Sequence, residues 1–360
     1  MRYRPEMRGI LSWGTYLPHR RLDRTTIAAV AGAGGGKGHR TVAGYDEDTT
    51  TMAVEAARVA RRDLAAVAPT SLWFATTDPA YLDKTNATAI HAALRLAPEV
   101  PAFDALGSVR STAGALRAAL GGGGPALLVA ADRRGGLPGG PDEAAGGDAA
   151  AALLLGGDAD GAVLAEIVAT ASITEEFLDR WRTPGDPRPR QWEERYGETR
   201  YTDIGARAIA DALAAAGCEA PAVDHLVVTG PHDRANAAVA KRSGVAPDRV
   251  ADGLGSTVGN AGAASLPLLL AAILVVFGWL KGYSMLSWLP FATQVPATIG
   301  LSYMLLRGLQ LLVDMREDST LRPAPLDVFS FLASWPCLVS GPIQRFQDFR
   351  SDMDGMASFR

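Results

Sequence analysis

Apolar and polar positions follow the same order twice in the first three quarters of the chain. Each round opens with an Ala-rich amphipathic stretch that predicts a helix, TTTMAVEAARVARRDLAA in one and YTDIGARAIADALAAAG in the other. A short apolar run that predicts a strand follows, SLWFATTDP or DHLVVTGPH. A loop then leads into another helix, in LGSVRSTAGALRAAL from Leu106 or LGSTVGNAGAASLPLL from Leu254, and the two segments are 148 residues apart (254 minus 106). Alternating strands and helices predict an α/β fold with mainly parallel sheets.

The second round is incomplete. In the first round the helix from Ser111 is followed by two further apolar runs, GPALLVAAD and GGDAAAALLLGG, which predict two buried strands. In the second round the helix from Gly262 continues into LLLAAILVVFGWLKG. A sheet without those strands exposes apolar edges, so we interpret the second round as truncated.

The composition changes abruptly near Leu274. Phe, Met and Trp total 10 in the first 273 residues and 15 in the last 87, Gly falls from 33 to 6, and all five histidines precede the change. Such a shift is unusual inside one folding unit. We therefore predict three parts, which are residues 1–158 and 159–273 for the two rounds and residues 274–360 for the tail.

Bulk properties exclude several classes of protein. The net charge of −4 comes with no basic patch, so nucleic acid is not expected as a partner. Cys218 and Cys337 cannot form a disulfide framework, which favours a reducing compartment. The N-terminal MRYRPEMRGILSWG has no apolar run long enough for a signal peptide, and no metal ion is expected. The high Ala and Gly content is typical of a high-GC bacterial gene.

The tail has the pattern of a membrane-associated segment. Residues 266–344 hold three apolar stretches, at 266–280, 296–313 and 326–343. Trp279, Trp288 and Trp335 lie near the ends of such segments, as interfacial anchors do. We expect transmembrane or re-entrant helices there, with the lipid bilayer as partner. Seven basic and seven acidic tail residues leave the orientation undecided.

Several motifs of the first 273 residues resemble the thiolase superfamily, in its HMG-CoA synthase-like branch near ketoacyl synthase III. They are GILSWGTYLPHRRLDR, VAGYDEDTTTMAVEAA, GGDAAAALLL, GPH and GNAGAAS, and they extend over about residues 8–273. The resemblance implies a five-layer αβαβα fold of two pseudo-symmetric halves. It also implies a cytoplasmic protein that binds no cofactor, forms a homo- or heterodimer, and has a tunnel for the pantetheine arm of an acyl-CoA or acyl-carrier protein.

The same resemblance assigns the site residues. His232 and Asn260 match the residues that hold the thioester oxygen while negative charge develops on it. The position of the nucleophilic cysteine falls on Val109, between Ser108 and Ser111, and the position of the acid/base glutamate falls on about Thr77. Neither Val nor Thr can replace the lost group. We therefore expect acyl-thioester binding without condensing activity.

Each of these residues also has a purely structural interpretation. His232 is then a polar residue at a strand end, and Asn260 caps the next helix. For Ser108 and Ser111 we favour helix N-caps over nucleophiles, because a nucleophilic serine would need His232 as its base. The segment EEFLDRWRTPGDPRPRQWEERYGE, from Glu175, is interpreted as an insertion that shapes the tunnel or a dimer surface.

The tail resembles membrane-bound O-acyltransferases of the alginate and teichoic-acid acylation type. The motifs are PATIGLSYMLLRGLQLLVDMRED and LDVFSFLASWPCLVSGPIQRFQDF. The catalytic histidine of that family has no counterpart here, since the tail contains no histidine. Arg307 and Arg345 are either pathway residues or structural charges.

Two other functions stay open beside the inactive condensing-enzyme homologue. One is a non-catalytic partner of an active homologue, and the other is a membrane O-acyltransferase fused to a soluble donor-binding domain. Both resemblances stop inside their families' folds at the same point of the chain. A rearranged or spliced gene therefore explains the junction better than a natural fusion.

Overall fold

The computed structural model describes residues 8–32, 34–183, 185–186 and 188–281. The strands of this part are β1 (Arg8–Tyr16), β2 (Arg20–Asp23), β3 (His39–Val42), β4 (Ser71–Thr76), β5 (Ala102–Leu106), β6 (Ala126–Asp132), β7 (Ala149–Gly157), β8 (Ala165–Glu166), β9 (Arg180–Trp181) and β10 (Arg190–Gln191). Its α-helices are α1 (Arg24–Ala31), α2 (Thr49–Arg61), α3 (Ala87–Ala93), α4 (Ser111–Gly121), α5 (Pro141–Ala145), α6 (Glu194–Ala216), α7 (Asp233–Arg242) and α8 (Ser265–Lys281). Short 3₁₀ helices lie at Ala220–Ala222, Pro247–Arg249 and Gly262–Ala264.

One six-stranded sheet, in the order β5-β4-β6-β7-β1-β8, forms the centre of the first half. β4 pairs parallel with β5 and β6, whereas β7 pairs antiparallel with β6 and β1, and β8 pairs antiparallel with β1. The prediction of a mainly parallel sheet was therefore wrong for this sheet. Helices α3 and α4 connect the parallel strands, but α5, between β6 and β7, has only five residues and does not support a parallel crossover.

Helices cover both faces of this sheet, so its central strands are continuously apolar. All seven residues of β6 and all nine of β7 are buried. Leu127 and Val129 pack with α2, through Met52, while Leu128 packs with α4, through Ala115. Neighbouring residues of β6 thus enter different cores, which explains why the sequence shows apolar runs rather than an alternating pattern.

Local sequence fixes the start of α2 and its distance from β1. The Asp48 carboxylate accepts from the Thr51 N–H at 2.7 Å, and the Thr51 hydroxyl accepts from the Asp48 N–H at 2.8 Å, which is a capping box. A Cβ on Gly14 of β1 would lie 2.2 Å from the Ala56 carbonyl oxygen of α2. Gly14 therefore allows the helix to lie directly on the strand.

The second half has no corresponding sheet among the described residues. DHLVVTGPH, predicted as a strand, forms only an isolated parallel bridge between Leu226 and Val250. The bridge repeats the start of the β4–β5 pairing, because Leu226 donates to Arg249 as Leu72 donates to Pro101, both at 2.9 Å. The strand prediction was wrong because, among the described residues, this segment has no second neighbouring strand of the kind that β6 provides for β4.

The missing neighbour corresponds to a part of the chain that is helical. Residues 126–132 form β6 in the first half, and the offset of 148 places their counterpart at residues 274–280. These residues belong to α8. The prediction of a helix beyond Leu266 is thus confirmed as far as Lys281, and that of parallel sheets in the second half is not.

The two helices that the repeat relates meet at their N-terminal ends. The Thr112 hydroxyl of α4 donates to the Ala263 carbonyl oxygen, before α8, at 2.7 Å. Ala261 and Ala264 are buried with Ala75 and Ala130 of the sheet. The second half therefore contributes its loop and helix end to the core below the sheet.

The compact unit containing this sheet ends at Val275, close to the predicted junction. No helix within the described stretches is long and apolar enough to cross a membrane. The predicted membrane segments at residues 296–313 and 326–343, and Arg307 and Arg345, lie outside the described residues. The three-part division and the five-layer arrangement stay predictions.

Candidate functional site

A cavity of about 540 Å³ lies between β9, the loop that follows β4 and the loop that precedes α4. Its wall includes Ser108 and Val109, from the loop before α4, and Thr77, which follows β4. The positions assigned to the lost cysteine and the lost glutamate therefore share one cavity. Five arginines also line it: Arg40, Arg133, Arg134, Arg180 and Arg182.

The loop that carries Val109 is organised by backbone contacts of its two serines. Ser108 Oγ accepts from the Arg110 N–H at 3.1 Å, and Ser111 Oγ donates to the Leu106 carbonyl oxygen at 3.1 Å. The N-cap residue of α4 is Arg110, without a side-chain cap, so the N-cap prediction for Ser108 and Ser111 was wrong. Ser108 instead closes the turn that precedes the helix.

Thr77 is held by the fully buried Asp132 at the end of β6. The Thr77 N–H and hydroxyl donate to the Asp132 carboxylate at 2.6 and 2.8 Å, and Arg134 donates to the Thr77 hydroxyl at 3.1 Å. Asp132 also accepts from the Ala263 N–H of the second half, at 2.8 Å. One carboxylate therefore joins the glutamate position to the turn that follows Asn260.

Burial and hydrogen bonding act in opposite directions on Asp132. Removal from water raises the pKa of its carboxyl group above the ordinary value, while the Arg134 guanidinium and the N–H donors lower it. Burial is the larger effect. A Cβ on Gly262 would lie 2.0 Å from Asp132 Oδ2, so glycine is the residue that lets the second half approach this carboxylate.

His232 forms a buried pair with Asp179. His232 immediately precedes α7, and its Nε2 lies 2.9 Å from Asp179 Oδ2, with both side chains almost fully buried. A carboxylate only accepts, so Nε2 is the donor and neutral His232 carries its proton there. Asp179 belongs to the segment from Glu175 that the sequence assigns to an insertion.

Tyr201 of α6 packs beside this pair. Its ring centroid lies 5.4 Å from that of His232 and 5.2 Å from that of Phe177. Burial first, and the negative charge of Asp179 second, raise the pKa of the Tyr201 phenol well above its ordinary value. Tyr201 therefore stays a neutral hydroxyl at physiological pH.

Four candidate residues line two cavities that share a wall, whereas Asn260 and Ser111 line neither. His232 lines a second cavity of about 150 Å³, and Tyr201 and Pro231 line both cavities. Thr77, Ser108 and Val109 line the large one. The structure thus gathers these positions around Tyr201 and Pro231, with His232 behind this wall.

Asn260 lies in a network of backbone contacts. Its Nδ2 donates to the Gly230 carbonyl oxygen at 2.7 Å, and its Oδ1 accepts from the Gly262 N–H at 3.0 Å. The second contact caps the turn before α8, which agrees with the structural interpretation. The first joins Asn260 to the GPH segment that carries His232.

Asp179, Tyr201 and Asp132 were not singled out from the sequence. Asp179 lies 53 residues before His232, and its segment has no counterpart in the other half. A signal for Asp132 did exist, since an aspartate ends the otherwise apolar run ALLVAAD. A buried carboxylate at a strand end needs several donors.

Comparisons with known proteins agree with this architecture. The family profile "3-Oxoacyl-[acyl-carrier-protein (ACP)] synthase III C terminal" matches residues 213–276. The hydroxymethylglutaryl-CoA synthase of Methanothermobacter thermautotrophicus is 29% identical over 289 residues, which are 75% of this chain and 82% of that protein.

Two solved structures are similar to the chain. One is 3-oxoacyl-(acyl carrier protein) synthase III from Pseudomonas aeruginosa, with a TM-score of 0.63 and 23% identity over 77% of this chain and 90% of that one. The other is an HMG-CoA synthase complexed with CoA, with a TM-score of 0.64 and 18% identity over 74% of each chain. The chain has the α/β thiolase-like fold of the ketoacyl synthase III and HMG-CoA synthase type.

Proposed function

We propose that this chain binds an acyl thioester of CoA or of a carrier protein and does not condense it. The observation that carries the proposal is the large cavity, which brings Val109, Ser108 and Thr77 together beside the wall of Tyr201 and Pro231. Its volume of about 540 Å³ falls within the usual range for small-molecule sites. The similarity to HMG-CoA synthases supports the choice of ligand.

The charged wall suits the ligand's phosphates. Arg133 and Arg182 both pair with Asp78, at 3.3 and 3.4 Å, so two guanidinium groups share one carboxylate. Guanidinium groups bind phosphate oxygens through paired N–H donors. Arg182 and Arg133 are also partly exposed, which leaves them accessible from the cavity.

The described residues that line the cavity include no cysteine. Val109 has no reactive group, and the hydroxyls of Ser108 and Ser111 both contact the backbone. His232 uses Nε2 to contact Asp179, so that nitrogen does not activate either serine. A bound thioester is therefore expected to remain intact.

The experiment is acylation with radiolabelled acetyl-CoA, compared between the wild type, Val109→Cys and Val109→Ala. We expect CoA binding in all three and hydroxylamine-sensitive label in Val109→Cys alone, because a cysteine at this position receives thiolate stabilisation from the start of α4. Label on Ser108 or Ser111 of the wild type would restore an enzyme assignment. Absence of CoA binding in all three would contradict the proposal.

We also propose that β5 is the edge through which the chain dimerises, with itself or with an active homologue. β5 ends the six-stranded sheet, and Phe103 and Leu106 on it are 42% and 38% exposed. Open strand edges with apolar side chains favour pairing with another chain. Native mass spectrometry of Phe103→Lys against the wild type tests this, and an unchanged oligomeric state in the variant would exclude the β5 edge.

For the tail we make a separate proposal, which rests on its sequence. Residues 274–360 are proposed as a membrane O-acyltransferase-like fragment without activity, with the bilayer as partner through residues 266–344. The chain should sediment with membranes or aggregate. A soluble, monodisperse monomer would contradict the interpretation of the tail as a membrane-type part of the chain.

A further inference from the structure

Residues 179–182 and 189–192, which we name the strap, form one wall of the large cavity. β9 and β10 pair within it, and the Trp192 N–H donates to the Asp179 carbonyl oxygen at 2.7 Å. Arg180, Trp181, Arg182 and Pro189 line the cavity. Any movement of the strap therefore changes access to the cavity.

Charged contacts attach the strap to three separate elements. Asp179 contacts His232, which precedes α7. Arg180 makes a two-pronged pair with Asp142 of α5, at 2.7 and 2.8 Å. Arg182 contacts Asp78, after β4, at 3.4 Å and donates to the Thr77 carbonyl oxygen.

The Arg180–Asp142 pair has the best geometry of these contacts. Two parallel N–H···O bonds fix the guanidinium plane relative to the carboxylate, and both side chains are mostly buried. Asp179 directly precedes Arg180, the first residue of β9, and its carbonyl oxygen accepts from the Trp192 N–H across the hairpin. Fixing Arg180 thus also limits where Asp179 can meet His232.

We propose that Arg180 is a positioning residue for His232: its pair with Asp142 holds Asp179 against His232 and closes the cavity wall. Release of that pair opens the cavity and removes the partner of His232 in the same movement. The acyl thioester as ligand of this cavity rests on the proposed function. The mechanical coupling between the strap and His232 does not depend on it.

The test uses the full chain and two variants. Asp142→Asn removes the charge of the pair, and Asp203→Asn removes a charge from the exposed pair of Arg242 and Asp203. Hydrogen exchange followed by mass spectrometry reports on the strap, and ¹⁵N signals of the imidazole rings report the tautomer of His232, with His232→Gln to assign them. We expect Asp142→Asn to raise exchange in the strap about tenfold and to shift His232 away from a pure Nε2–H tautomer, and Asp203→Asn to do neither.

Several outcomes would overturn the proposal. Faster strap exchange with unchanged His232 signals excludes the coupling, and unchanged exchange excludes the role of the Asp142 pair. If Asp142→Asn does not fold, as judged by circular dichroism, Arg180→Lys replaces it, since it keeps the charge and loses the planar fork. Failure of the wild type to bind CoA would contradict the proposed function and leave these results unaffected.

Discussion

The two halves differ most at the segment that follows their Ala-rich helices. β4 in the first half has a hydrogen-bonded strand on each side, and four of its six residues are fully buried. In the second half, Leu226 forms one bridge, and residues 226–230 are only partly buried. The two sequences are similarly apolar, so the difference comes from their neighbours. A strand depends on the pairing and burial that its neighbours supply more than on its own propensity.

The largest expected effect tests this difference at matched leucines. Leu72 is fully buried, whereas Leu226 is partly exposed, and each donates the first hydrogen bond of its parallel pairing. Leu72→Ala should lower the free energy of unfolding by about 3 kcal/mol, and Leu226→Ala by about 1 kcal/mol or less. Urea denaturation measures both. Equal losses would mean that the second half is packed like the first.

The next effect concerns the contact between the halves. Asp132→Ala leaves the N–H groups of Thr77 and Ala263 without their acceptor. We expect a loss of about 2–3 kcal/mol in the free energy of unfolding. Thr70→Ala is the control, because its hydroxyl contacts only the backbone of Pro125 within the first half. A similar loss in both variants would contradict a special role for Asp132.

Asp132 also gives a pH prediction. Its pKa is raised in the folded chain, so the folded state binds the proton more tightly than the unfolded state does. The resulting stabilisation is complete below the unfolded pKa, about 3.9, and is lost as the pH rises through the folded value. The free energy of unfolding of the wild type, minus that of Asp132→Asn, should therefore decrease as the pH rises from 4 to 8. Urea denaturation at each pH measures both values. An increase would reverse the sign of the inferred pKa shift.

Two tyrosines, one from each half, give the smallest effect. A hydrogen bond to Glu47 is the main cause that raises the pKa of Tyr16 to about 12, whereas burial is the main cause for Tyr201. Glu47→Gln should lower the pKa of Tyr16 toward about 10, and Asp179→Asn should leave that of Tyr201 well above its ordinary value.

Ultraviolet titration of tyrosinate, with Tyr16→Phe and Tyr201→Phe to assign each step, measures these values. In stability, the contribution of Tyr16 should persist below pH 10 and disappear as the pH approaches 12. A Tyr201 that titrates normally in Asp179→Asn would show that charge outweighs burial there.

The first half was largely predictable because its elements have strong local patterns. The apolar runs that became β6 and β7, and the amphipathic stretch that became α2, are clear in the sequence. These features depend on burial on two faces or on helical periodicity, both of which leave a mark in the sequence. Val109 and Thr77 were assigned from the family resemblance; both line the large cavity, and their roles stay predictions.

The rest depended on contacts between distant residues. Nothing near Asp179 indicates that it meets His232, because the two lie on separate elements and pair only in the folded chain. DHLVVTGPH has a strand pattern, but within the described residues its only pairing is the bridge to Val250, so it does not form a strand. The antiparallel return of β7 likewise depended on the short α5, whose length the pattern did not reveal.

The hydrogen bond between Asp132 and the second half has a consequence for folding during synthesis on the ribosome. The bond to the Ala263 N–H spans 131 residues, while the strands around Asp132 are complete once residue 166 has emerged. Chains emerge N-terminus first and fold unit by unit. A nascent first half can therefore pair its strands while Asp132 still lacks one of its donors. Arrival of the turn at Gly262–Ala263 then covers that carboxylate, so this part of the core closes only late in synthesis.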